Sequence, residues 1–380
     1  MYPCRRSAGL TRGRFRRAFL LLILSAAPIP VFSPQDALGE DRDVGIPSAR
    51  GGTLLWKFRT GGFVDSAPAL AGGIVYFGSW DRRLYALNAE TGEEVWSVRT
   101  GDFVDASPAV SGGKIVFSSW DRIVRCLDAR TGGERWRFEM PPSKFDDHRQ
   151  SSPSQADGRV YVGGYDGTLF ALDFDTGRKL WEMPTGGAIR SRPHPEGFVG
   201  SGDGSVYAFG VSDGKPRWAY PTGGAVHSSP STAEDRVYFG SRDGRVYCLD
   251  AATGKKLWSY DAGTRIEYSS PLLFEGVLYI GDCAGKIHAV DSREGKSRWV
   301  YQGLGPVYST PVAVRGMIVY GDNTGEVYFL DPRSGVRNGG FRAGAAVQAV
   351  AAGPPGSVLL GSRDGFLYAV SMGPGEGKGR

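Results

Sequence analysis

Acid–base or metal chemistry in this chain would have to be built around Asp65 and Asp105, with Arg190, His227 and Arg242 as the nearby cations and donors. A carboxylate pair can abstract a proton or hold a hard cation, and a guanidinium can hold an anionic oxygen. Other chemistries lack material. His148, His194, His227 and His288 show no metal-ligand spacing, and no Ser–His–Asp order can be argued. There is no CxxC, and the glycines mark turns rather than a phosphate-binding loop. Asp81, Asp121, Asp166, Asp203, Asp243 and Asp364 recur with a period and read as turn residues bonding their own backbone.

The elements that must position these residues form a repeat. Its cleanest copy is VYFGSRDGRVYCLDAATGKKLW, Val237 to Trp258. Two alternating runs flank Arg242-Asp243-Gly244, and Asp-Gly between β-rich runs is a strong hairpin signal. The hairpin recurs at Gly78, Ser118, Gly163, Gly200, Gly240, Gly281, Gly321 and Gly361, with a period close to 40 residues. Trp56, Trp96, Trp136, Trp181, Trp218, Trp258 and Trp299 keep the same beat. At the eighth beat Gly339 stands in the tryptophan position, and Phe341 is the candidate substitute.

Each repeat holds four strands, the second opening at Pro68, Pro108, Pro153, Pro193, Pro230, Pro271 or Pro311. No helix-length amphipathic segment is present. The fold expected is an all-β, eight-bladed propeller of four-stranded blades spanning 51–371, about 32 strands. Its phase starts with a lone Trp strand, Leu54–Arg59, and ends with Phe366–Ser371, so these two strands are expected to pair and close the ring.

In such blades the loop before the Ser-x-Pro strand and the hairpin turn share one face. The position three before the proline runs Asp65, Asp105, Gln150, Arg190, His227, Tyr268, Tyr308 and, in the eighth copy, Gln348. The turn position runs Trp80, Trp120, Tyr165, Gly202, Arg242, Cys283, Asn323 and Arg363. Structural positions stay constant through a repeat while these vary. The expected ligand or partner site is therefore the channel-mouth ring of Asp65, Asp105, Gln150, Arg190, His227, Tyr268, Tyr308 and Gln348, with Trp80, Trp120, Tyr165 and Arg242 around it. The insertion 141–149 is expected to overhang the same face.

Composition narrows the setting. Residues 1–33 carry six Arg and no acid, and the remainder has 39 basic against 40 acidic residues, with no nucleic-acid footprint. Arg12 to Arg17 followed by the apolar run Ala18 to Ala27 reads as an export signal within 1–33, too short for a membrane span. Residues 34–50 read as a linker and 372–380 as a flexible tail. An exported monomer of the bacterial periplasm or cell envelope is expected, touching membrane only through the N-terminal segment if that is uncleaved. Cys126 and Cys248 stand where other copies have Ala86, Ala171 and Ala369 and are expected to be small buried residues.

The pattern Ala-x-Asp-x-x-Thr-Gly-Lys-x-x-Trp makes the likeness specific. Asn88, Thr91, Gly92 and Trp96; Asp128, Thr131, Gly132 and Trp136; Asp173, Thr176, Gly177 and Trp181 carry it, as do Asp213, Gly214 and Trp218; Asp250, Thr253, Gly254 and Trp258; and Asp291, Gly295 and Trp299. Over about 51–371 the chain resembles the pyrroloquinoline-quinone (PQQ)-type propeller repeat family, which includes quinoprotein alcohol dehydrogenases and the BamB-type scaffold of outer-membrane β-barrel assembly. The resemblance implies that the tryptophans stack between blades. It implies first a non-catalytic exported scaffold that needs no cofactor or metal and binds envelope protein or peptide segments, or a small ligand. The alternative it implies is an alcohol or sugar dehydrogenase using PQQ with Ca²⁺ at the channel mouth, with Asp65 or Asp105 as base and Arg190 or Arg242 on the quinone. The adjacent Cys-Cys pair of many such dehydrogenases is absent.

Overall fold

The computed structural model describes residues 51–142 and 151–373. The export signal, the linker, most of the inserted loop, Gln150 and the last seven residues lie outside the described residues. Strands run from Thr53 to Ser371 in eight antiparallel sheets, one per repeat, with neighbours paired in chain order. This is the expected propeller.

The ring closes as its phase requires. Thr53–Arg59 pairs antiparallel with Phe366–Ser371, with Trp56 opposite Ala369 and Arg59 opposite Phe366. Blade 8 is therefore built from both ends of the described chain. Its core confirms the union, because Leu359, Leu367 and Ala369 pack in one cluster with Val75, Phe77, Tyr85 and Leu87 of blade 1.

The two middle strands of each blade are buried on both faces. Val237–Gly240 and Val246–Leu249 show this, every residue but the facing edge positions being enclosed by neighbouring blades. That explains why these runs are continuously apolar rather than strictly alternating.

Two recurrent staples join each blade to the next. On one face, the tryptophan of each outer strand donates Nε1–H to a carbonyl in the last turn of the following blade: Trp56 to Ala89 O at 3.1 Å, Trp218 to Ala251 O at 3.0 Å, Trp299 to Pro332 O at 2.9 Å. The indole also covers the turn glycine. Gly254 has φ +70°, and a Cβ there would meet the Trp218 ring at 2.7 Å. On the other face, the hairpin aspartate reaches back to the preceding strand end. Asp243 accepts from Gly223 N–H at 2.8 Å and from the Tyr247 hydroxyl at 2.7 Å. Asp81 and Asp364 repeat this with Gly61 and Tyr85, and with Gly344 and Tyr368. The turn aspartates thus bond more than their own turns. In blade 7, whose turn has no aspartate, Asp322 takes over both bonds.

Two details depart from the regular pattern. Blade 4 has three strands, Phe198–Gly200, Ser205–Phe209 and Pro216–Pro221. Pro195, which no other inner strand has at its middle position, removes a donor from the inner strand, leaving a single bridge between His194 and Phe198. At the junction of blades 7 and 8, Phe341 does not replace the missing tryptophan. Gly339 lies opposite Phe329 in the tryptophan register, and Phe341 keeps the place that Tyr260 and Tyr301 hold two residues beyond Trp258 and Trp299. The turn that an indole would cover does not exist there, because blade 8 is split between the two ends of the strand order. Gly52 N–H bonds Gly340 O at 2.8 Å instead.

Candidate functional site

The loop entering each inner strand and the hairpin turn of the same blade do share a face. Trp80 N–H donates to Phe63 O, Trp120 N–H to Phe103 O and Arg242 N–H to Ala225 O. In these blades a backbone bond ties the turn residue to the loop two residues before the ring position. The mouth these positions build has two unlike sides.

On blades 1 and 2 it is aromatic, with Arg363 of blade 8 at its edge. Trp80 stacks on Phe103 with centroids 5.0 Å apart and planes 16° apart, and tilts against Trp120 and Phe63 at 5.3 Å. Phe63 is 40% exposed, so the cluster has an open apolar edge. Arg363 lies over the Phe63 ring and grips Asp65, Nε to Oδ1 at 2.9 Å and Nη2 to Oδ2 at 2.7 Å. This bidentate pair links the last blade to the first and holds the guanidinium above its ordinary pKa: burial opposes the charge, but the Asp65 hydrogen bonds outweigh it.

On blades 3 to 6 the mouth is polar. Arg190 donates Nη1–H to the Tyr268 hydroxyl at 2.7 Å and Nη2–H to the Tyr165 hydroxyl at 2.6 Å. Glu267 is bridged by Arg242 Nε at 3.0 Å and His227 Nδ1 at 3.3 Å. Burial pushes the Glu267 carboxyl up, but the His227 hydrogen bond and the charge of Arg242 bring it below its usual value. Burial holds the His227 imidazole below its ordinary pKa against the pull of Glu267, with Arg190 and Arg242 adding to the depression. His227 stacks on Tyr268, which meets Tyr308 edge-on. Gln348 donates to Asn323 at 3.0 Å and completes the rim.

The expected ring residues Asp65, Arg190, His227, Tyr268, Tyr308 and Gln348 are thus brought to one mouth with Trp80, Trp120, Tyr165 and Arg242. Asp105 belongs to the same loop series on blade 2. Reading back from the proline missed Glu267, the residue that organises the polar side. Val226 is followed by one residue before Ser228, whereas Ile266 is followed by two before Ser269. That extra residue gives blade 6 both Glu267 and Tyr268, and the lengthened step was the signal. Phe63, Phe103 and Arg363 were equally legible as types, but nothing in the spacing says that they meet. Cys126 and Cys248 are buried thiols, pushed up to about 11 and about 12 by burial, which makes them inert.

The mouth does not fit a calcium–quinone site. Ca²⁺ takes six to eight oxygens. Asp65 is already bidentate on Arg363, and Glu267 is held by two partners. Among the described residues no group of three His, Cys, Asp or Glu is placed to hold a metal ion.

A family profile described as outer membrane protein assembly factor BamB matches residues 40–193, 183–302 and 242–372. Among solved structures, the chain is similar to BamB from Moraxella catarrhalis (19% identity, TM-score 0.72), covering 84% of this chain and 99% of that one. It is also similar to the quinohemoprotein alcohol dehydrogenase from Comamonas testosteroni, at 15% identity and TM-score 0.70, covering 87% of this chain and 78% of that one. A europium-containing methanol dehydrogenase is similar at 16% identity and TM-score 0.69, covering 84% of this chain and 93% of that one. At these identities the likeness is one of fold. No curated protein matches the chain.

Proposed function

The chain belongs to the outer membrane protein assembly factor BamB family, and from that premise we propose that it is an exported, non-catalytic propeller that holds a protein segment of the bacterial envelope against its channel mouth. The observation that supports this reading is the division of the mouth. Its ionisable groups are tied to one another, while the Phe63–Trp80–Phe103–Trp120 cluster presents an aromatic edge beside Arg363. Aromatic and Arg anchors in a concave centre with a polar rim are the composition of a protein-binding hot spot. An extended segment would lay apolar side chains on Phe63 and Trp80 and face the hydroxyls of Tyr165, Tyr268 and Tyr308 across the mouth.

The test is a photo-crosslinking side chain at Phe63 in the producing cell, with the same probe at exposed Val95 on an outer strand as control. The expected result is one dominant envelope polypeptide crosslinked from position 63 alone, and lost when Trp80 and Trp120 are replaced by Ala. Saturable binding of PQQ with Ca²⁺ and dye reduction with an alcohol or sugar would instead favour the dehydrogenase reading.

A further inference from the structure

Below the mouth, each blade contributes one residue to the waist of the channel, immediately before the proline of the inner strand or, in blade 8, before Ala351. In chain order these are Ala67, Ser107, Ser152, Arg192, Ser229, Ser270, Thr310 and Val350. Their hydroxyls form a blade-to-blade relay. Ser107 Oγ accepts from Ala67 N–H at 2.9 Å, Ser152 Oγ from Ser107 N–H at 2.9 Å and Ser229 Oγ from Arg192 N–H at 2.9 Å. The relay continues through Ser270 and Thr310. One member differs in kind: Arg192 puts a charge where its neighbours put a hydroxyl or a small side chain.

Arg192 opens into a cavity of about 520 Å³ on the far side of the waist from the aromatic mouth, within the range of small-ligand sites. Its Nε donates to Pro153 O at 2.9 Å. No described carboxylate pairs with it, and no Asp, Glu or Lys lines the cavity. Enclosure alone lowers its pKa, which no counter-charge opposes. Arg192 is half-buried and has no counter-ion among the described residues, so an anion bound beside it gains a charge-assisted hydrogen bond that no protein carboxylate competes for. Ser154 follows Pro153 in the chain and lines the same cavity, and its buried hydroxyl has no partner among the described residues. His194, the other titratable lining residue, receives Glu196 N–H at Nδ1 and faces Thr232 Oγ1 with Nε2. Burial keeps it neutral. The cavity thus holds one positive charge and one spare hydroxyl, against a wall of Pro68, Leu70, Pro108 and Val110.

We propose that this cavity binds a small monocarboxylate with an apolar body, its carboxylate held by the Nη atoms of Arg192 and the Ser154 hydroxyl, and its carbons against the proline wall. A single guanidinium with no second cation matches a monoanion better than a phosphate dianion. The site is independent of the partner reading of the opposite mouth.

The test is calorimetric titration of the full chain with hexanoate, with hexanol and inorganic phosphate as comparison probes. Hexanoate is expected to bind saturably at one site, at least about tenfold more tightly than either comparison. Arg192→Gln should weaken it by about tenfold or more, Arg192→Lys and Ser154→Ala by less, and Arg363→Gln at the other mouth should change nothing. Should Arg192→Gln fail to fold, the Lys and Ser154→Ala variants carry the comparison. No saturable heat at about 20 mM hexanoate, equal binding of hexanol or phosphate, or unchanged binding in the Arg192 and Ser154 variants would each overturn the assignment.

Discussion

Replacing Gly254 by Ala tests the idea that blades are locked by an indole laid over a turn glycine. The residue has φ +70°, where an L side chain is strained by about 1 kcal/mol. A Cβ there would also stand 2.7 to 3.0 Å from three atoms of the Trp218 ring, closer than carbon atoms approach. Trp218 must then move. Its hydrogen bond to Ala251 O at 3.0 Å, worth about 1 kcal/mol, is lost or stretched, and repacking in the blade junction adds about 1–3 kcal/mol. The expected loss is about 3–5 kcal/mol. Gly276→Ala is the matched control. Its φ is +74° but its Cβ would meet nothing within 4 Å, so backbone strain of about 1 kcal/mol is all it should lose. The assay is denaturant unfolding of both variants and the parent, comparing midpoints and slopes. The difference between the two variants, about 2–4 kcal/mol, isolates the interlock from the backbone term. Equal destabilisation would show that the tryptophans merely cover the glycines, and the docking argument would fail at all seven junctions where Trp is present.

Other expectations follow from the same geometry. Deleting residues 51–60 removes the strand paired with Phe366–Ser371 and the Trp56–Ala89 bond; melting should fall by the equivalent of at least about 4 kcal/mol and the bared edge should promote self-association, and an unchanged melting temperature would disprove the closure. A double-mutant cycle of Asp65→Asn and Arg363→Met should give a coupling of about 1–2 kcal/mol, modest because the arginine side chain is 31% exposed, and additive losses would deny the pair a role in joining blades 8 and 1. The His227 imidazole is depressed in the fold, so as pH falls through the ordinary value of 6.5 the unfolded chain takes up the proton first and stability declines. His227→Gln should flatten that decline in a series of melts, whereas the Glu267 contribution, present above the ordinary 4.5, should be lost only at lower pH as the carboxyl is protonated.

Local chemistry settled the repeat in the linear chain. A hairpin glycine with positive φ, an alternating or doubly buried run and a tryptophan once per period are each decided within one blade. A four-stranded unit that cannot bury both faces alone must stack on its neighbours. The N-terminal Trp strand without a blade of its own also dictated the closure, because an unpaired edge is unfavourable. What a blade places against another blade was not legible in this way. Asp65 and Arg363 are 298 residues apart and meet only because the ring closes. Glu267 entered the mouth through a one-residue insertion that slides the ring position, so that counting from Pro271 landed on Tyr268 alone. Arg192 looked like one more residue before a proline. Only the ring of hydroxyls around it, and the carboxylate that no described neighbour supplies, distinguish it as a half-buried charge without a counter-ion. Periodicity fixes which side chains share a level of the channel; the distances between blades decide which of them neutralise one another and which are left to a ligand.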